Sequence, residues 1–243
     1  MMPARGYDMT PTMYSPDGRI YQVEYAIETV KRGTLAIGIM AKDGVIMAVE
    51  EIPRKLQAAG VTQKIFQVDD HIGVAAAGYI PDARTQVDDA RTFSQSHKLI
   101  YDEQVDVETV AKHLADKCHQ YTQYSGVRPF GVALIVAGVD QRGNIIYVTD
   151  PSGTFVAYAA VAIGAGSEEV NSFLEKNYKE DMSMDDAFAL AIAAIDMKSE
   201  QKEESKHIKM AKITDSKKML EKISDADVEK YAKTAKEKYP KSA

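Results

Sequence analysis

The chain of 243 residues has a single cysteine, Cys118, so no internal disulfide can form; this fits a reducing, cytoplasmic setting. Positive charge is not in excess. Against 36 Asp and Glu stand 30 Lys and Arg, a net charge of -6, the wrong sign for a nucleic-acid footprint. Long apolar runs are missing as well. The longest, over residues 187–195, is far short of the roughly 20 residues a membrane span needs, and acids flank it. Residues 1–6 have no apolar stretch of the kind a secretory signal carries. The histidines are scattered, and His113, Cys118 and His119 do not share a helix face, so no metal site is expected. Gly164-Ala165-Gly166 lacks the third glycine of a dinucleotide motif and the lysine of a phosphate loop. Glu168 and Glu169 stand where a phosphate would sit, so a plain turn and no cofactor are expected. No serine triad, paired-carboxylate arrangement, internal repeat or interdomain linker can be assigned.

What is present is a sizeable core composition, 45% hydrophobic, laid out in regular periods. Leu35, Ile37 and Ile39 alternate, Asp43-Gly44 is a turn signal, and residues 45–49 return as a second strand. A polar link over residues 50–63 leads to a second hairpin, with strands over 64–68 and 71–77 joined at Asp69-Asp70. Pro81 suits a first helical turn, and Ala83, Val87, Ala90, Ser94 and His97 form a face of mostly small residues. Asp106 is expected to cap a helix whose apolar side is Val107, Val110, Ala111, Leu114, Ala115 and Cys118. Strands are predicted over 132–137, 145–148 and, as one run, 154–163. Helices then open at Ser167 and at Ser183, the latter with Asp186 as a capping box. A last strand over 207–214 precedes a Lys-rich helix capped by Ser224. Hairpins dominate, so the sheets should be mainly antiparallel, and two sheets with helix pairs on both outer faces satisfy every apolar face. The expected fold is α+β, a four-layer αββα sandwich.

The stretch from Ser15 to Gly33 organises the rest. Pro16-Asp17-Gly18 is a turn, and Ile20, Val23, Ile27 and Val30 mark one face of a helix over about 18–32. Lys31 and Arg32 suit the helix dipole, and Gly33 suits the position just past the end. A strand follows at once. Tyr7-Asp8, Tyr14-Ser15-Pro16-Asp17-Gly18-Arg19, Gln22-Val23-Glu24-Tyr25-Ala26 and Lys31-Arg32-Gly33 together closely resemble the head of a proteasome 20S core α subunit of the archaeal type. The resemblance continues through Lys64-Ile65, Gly78, Asp82-Ala83-Arg84, Tyr121-Thr122-Gln123-Tyr124 and Val127-Arg128-Pro129, over about two thirds of the chain.

The resemblance implies the sandwich of the N-terminal-nucleophile hydrolases in its non-catalytic branch. Residues 1–13 are then a flexible gate segment and residues 14–243 one proteasome α-type domain. It implies that the chain takes part in heptameric α rings, with catalytic β subunits beneath them, unfolded polypeptide entering through the axial gate, and a regulatory ATPase with a tyrosine-containing C-terminal tail. Nucleic acid and membrane have no place in it. Tyr7, Asp8, Pro16 and Tyr25 match the gate cluster. Met9 stands where the family carries an arginine that makes an inter-subunit ion pair, which implies a weaker latch. Lys64 and Gly78 match the pocket that receives the tail's carboxylate, an ammonium serving as a point charge and a glycine allowing close approach. Tyr124, Ser125, Gly126, Val127, Arg128 and Pro129 match the loop around the pore, with Ser125 in place of a more usual glycine.

The alternative is an active threonine peptidase. By position, Thr34 matches the catalytic nucleophile of the β branch, Lys64 the lysine that lowers its pKa, and Glu50 its aspartate. That chemistry needs a free amine on Thr34, hence a cut after Gly33 that would remove the best-matched helix. Glu50 is also longer than aspartate by a methylene, a displacement that matters at catalytic distances.

Overall fold

The computed structural model describes residues 10, 12–52, 56, 62–198 and 207–240. Tyr7, Asp8 and Met9 lie outside the described residues. Among those described, six helices accompany two five-stranded sheets. The first sheet runs β10 (Leu220–Lys222), β9 (Ile208–Thr214), β2 (Gly44–Glu50), β1 (Ala36–Ala41), β8 (Ala160–Ile163). The second runs β3 (Ile65–Asp69), β4 (Ile72–Gly78), β5 (Val132–Asp140), β6 (Gly143–Thr149), β7 (Phe155–Ala157). Every paired neighbour is antiparallel.

Period-2 alternation builds the layers. On β2, Ile46 and Ala48 face the helices while Val45, Met47 and Val49 face the opposite sheet. On β4, Val74 and Ala76 face α2 (Ile80–Tyr101) and α3 (Val107–Gln123), and Ala75 and Ala77 face inward. The first sheet is covered by α5 (Met184–Lys198), with α4 (Ser167–Asn177) and α6 (Asp225–Lys238) packed around it. Phe188, Leu190 and Ile192 of α5 are fully buried, which explains a helix apolar all round. The expected αββα order is thus the observed one, and every residue of the predicted α3 face is buried.

Three local expectations are corrected. The helix α1 spans Tyr21–Arg32, because residues 15–18 are consumed in a turn closed by Gly18 N–H on Ser15 O at 2.9 Å. Gly33 follows α1 directly, as expected, and is extended at φ -72°; its lack of a side chain serves close approach, as described below. Asp106 precedes α3 without capping it, and Asp140 from β5 accepts the Val107 N–H at 3.1 Å. The run 154–163 is two strands in different sheets, β7 pairing with β6 and β8 with β1. The Ser183 and Ser224 caps are as expected, with Asp186 and Asp227 amides donating to them at 3.2 Å each.

Candidate functional site

The joint between α1 and β1 is built on close backbone contact. A Cβ on Gly33 would lie 2.2 Å from the Gly78 nitrogen, and one on Gly78, at φ +116°, 2.4 Å from the Gly131 carbonyl oxygen. Backbone therefore meets backbone where α1, the end of β4 and the start of β5 converge. The Gly33 carbonyl accepts from Ala165 N–H at 2.7 Å. The glycine-flanked turn 164–166 thus holds the chain's own Gly33-Thr34 link.

Thr34, Lys64 and Glu50 do come together. Lys64, only 5% exposed, donates from Nζ to Thr34 O (2.7 Å), Thr34 Oγ1 (2.8 Å), Leu35 O (2.9 Å) and Glu50 O (3.2 Å). Thr34 Oγ1 in turn donates to Glu50 O at 2.7 Å. Burial pushes the Lys64 ammonium down to about 7, against a smaller upward pull from Glu51 and then Glu50. Glu50 enters the knot through its carbonyl oxygen rather than its carboxylate. The threonine proton is directed at a carbonyl, which cannot take it. The base a threonine nucleophile requires, its own amine, is here an amide joined to α1. The arrangement holds the β1, β2 and β3 ends together.

Lys64 also lines an open cavity of about 610 Å³ with Thr34, Glu51, Ile52, Gln63 and Ile80. Gly78 is not among these lining residues; a Cβ on it would meet residues 131, 132 and 30. Glu51, which the sequence hides inside a polar link, accepts at Oε1 from Gln63 N–H (2.9 Å), Lys64 N–H (3.1 Å) and the Thr62 hydroxyl.

A second cavity, about 360 Å³, separates α1 from the start of α2. Tyr25, Thr29, Tyr79, Arg128 and Pro129 line it. Tyr25 is 46% exposed and stacks with Tyr21. Pro16 is exposed in the turn ahead of α1, where Arg19 bonds Glu24. Of the residues matched to the gate, these two are described.

The loop 124–129 divides in two. Its tip is open: Tyr124 is 61% exposed, Ser125 and Val127 are exposed, and Gly126 takes φ +88°. Its root is clamped. Arg128 forks onto buried Asp82 at 2.6 and 2.8 Å, and Asp82 also accepts the Gly131 N–H at 2.8 Å. Hydrogen bonding to Asp82 raises the Arg128 pKa further above its ordinary range. Arg128 therefore anchors the loop to the first turn of α2 and lies over the Tyr79 ring. The partners are 46 residues apart, so spacing could not reveal the pair; only an unpaired acid in a helix's first turn hints at it.

The chain matches a family model described as "Proteasome subunit" over residues 30–213, and a second model, the A-type N-terminal signature of proteasome subunits, over residues 7–28. It is 44% identical over 240 residues to a "Proteasome subunit alpha" of Methanosarcina acetivorans, covering 98% of this chain and 97% of that protein. A "Proteasome subunit alpha" of Methanococcus maripaludis is 44% identical over 239 residues, covering 98% and 92%. One from Methanosarcina thermophila is 43% identical over 240 residues, covering 98% of this chain and 97% of that protein. Among the described residues no helix is long and apolar enough to cross a membrane.

Proposed function

The chain belongs to the proteasome α-subunit family, and from that premise we propose that it builds the heptameric outer ring of a cytoplasmic 20S core, gates entry of unfolded polypeptide, and docks a regulatory ATPase. Proteolysis falls to threonine-type β subunits stacked on that ring. Residues 1–13 form the gate segment, with Tyr7, Asp8, Pro16 and Tyr25 holding its open form, and residues 14–243 form the α-type domain. The exposed tip of the loop, Tyr124 to Val127, edges the pore, and Arg128 and Pro129 fix its root. The Lys64 cavity takes the regulator's terminal carboxylate, with Gly78 behind it setting α1 against β4.

One observation carries the non-catalytic reading. Gly33, just ahead of Thr34, is wedged against Gly78, and its carbonyl is held by the Ala165 N–H. A cut there would separate α1 from a joint built for close backbone contact. The test is to express the chain alone and examine its assembly, N-terminus and peptide hydrolysis. A seven-fold ring that hydrolyses nothing and starts ahead of Gly33 is expected. An N-terminus at Thr34, or hydrolysis by the chain alone, would overturn the reading in favour of the Thr34 peptidase.

A further inference from the structure

We propose that Glu51 is a built-in competitor for the carboxylate that docks in the Lys64 cavity, and so sets how tightly a tail is held. This rests on the docking reading above. An ammonium has three N–H bonds, and four oxygens of Thr34, Leu35 and Glu50 already surround Lys64 Nζ within 3.2 Å. No proton there is left over for a newcomer. Three further donors lie beside the cavity: the backbone N–H groups of Gln63 and Lys64 and the hydroxyl of Thr62. All three are taken by one oxygen of Glu51.

A peptide's terminal carboxylate is the same group as the Glu51 side chain, a planar two-oxygen anion that seeks paired N–H donors. Glu51, Gln63 and Lys64 line the same cavity. With Glu51 in place, its anion offsets the ammonium beneath and occupies the donors. With Glu51 displaced, the wall presents two amides over a cation that has lost the larger of its two acidic neighbours' contributions. The Glu51 backbone is pinned, its N–H donating to His207 O at 2.7 Å, so displacement needs only side-chain rotation.

The test compares the assembled particle with its Glu51→Gln variant, which keeps an acceptor for the three donors and removes the charge. The probe is a short synthetic peptide whose penultimate residue is tyrosine, made with a free C-terminal carboxylate and, separately, as the C-terminal amide. Binding is read by fluorescence anisotropy. The free acid is expected to bind Glu51→Gln about tenfold more tightly than wild type, with the amide unchanged. An unchanged or weaker affinity for the acid overturns the competition, as does an equal gain by acid and amide. If neither particle prefers the acid over the amide, the docking reading itself falls and the competition with it.

Discussion

Gly33 and Gly78 touch backbone to backbone: a methyl group on Gly33 would sit 2.2 Å from the Gly78 nitrogen and 2.7 Å from its Cα. Neither atom is the end of a flexible side chain, so α1 would have to lift from β4. Gly33→Ala should therefore destabilise the fold by about 3 kcal/mol, in the upper range for overpacking. Urea unfolding of the purified chain checks this, and an unshifted midpoint would show that the joint can open.

Arg128 and Asp82 form a forked pair in which the carboxylate is buried and the guanidinium reaches solvent. Arg128→Ala leaves Asp82 with the Gly131 amide alone, a loss of about 2 kcal/mol. Lysine at 128 should restore little, because it cannot fork. Hydrogen exchange at Gly131 and along residues 124–127 should rise in both variants. Unchanged protection would mean that Pro129 and the Tyr79 N–H, which donates to Gly131 O at 2.8 Å, hold the loop unaided.

The start of α3 separates the local signal from the tertiary one. Asp106 occupies the cap position, yet the acceptor for the Val107 amide is Asp140. Asp140 also accepts the Arg142 amide at 2.8 Å. Asp140→Ala should cost about 1–2 kcal/mol, and Asp106→Ala less than about 0.5 kcal/mol. Thermal melts of the two variants decide it, and the reverse ranking would restore the local cap.

These residues also mark what the chain's pattern discloses. Faces that repeat every two or 3.6 residues were readable, which is why the hairpins β1–β2 and β3–β4, the α3 stripe and the layer order stand as expected. A run of apolar residues with no Gly or Pro in it gives no sign of where it changes sheets, so residues 154–163 read as one strand. The three-residue β10 is too short to carry a period. Arg128 with Asp82, and Asp140 with Val107, depend on contacts across 46 and 33 residues that no local rule encodes. The motifs named Thr34, Glu50 and Lys64, and the structure brings them together. Glu51 left no such mark, because its partners lie beyond the link that hid it.

Lys64 gives the site a pH signature. Its ammonium titrates near 7 in the folded chain, well below the 10.5 of an ordinary lysine, because burial strips its water. Between those values the unfolded chain binds the proton and the folded chain increasingly does not, so stability rises with pH across that window. The destabilisation is fully present below about pH 7 and relieved toward pH 10.5. Lys64→Met lacks the titrating group, so the difference between the two proteins isolates it from tyrosines and other lysines. From pH 7 to 8.5, wild type should gain about 1–2 kcal/mol relative to Lys64→Met. Denaturant titrations at several pH values measure this. Parallel profiles would mean that the oxygens of Thr34, Leu35 and Glu50 keep the ammonium charged throughout, and that their hydrogen bonds outweigh the loss of water.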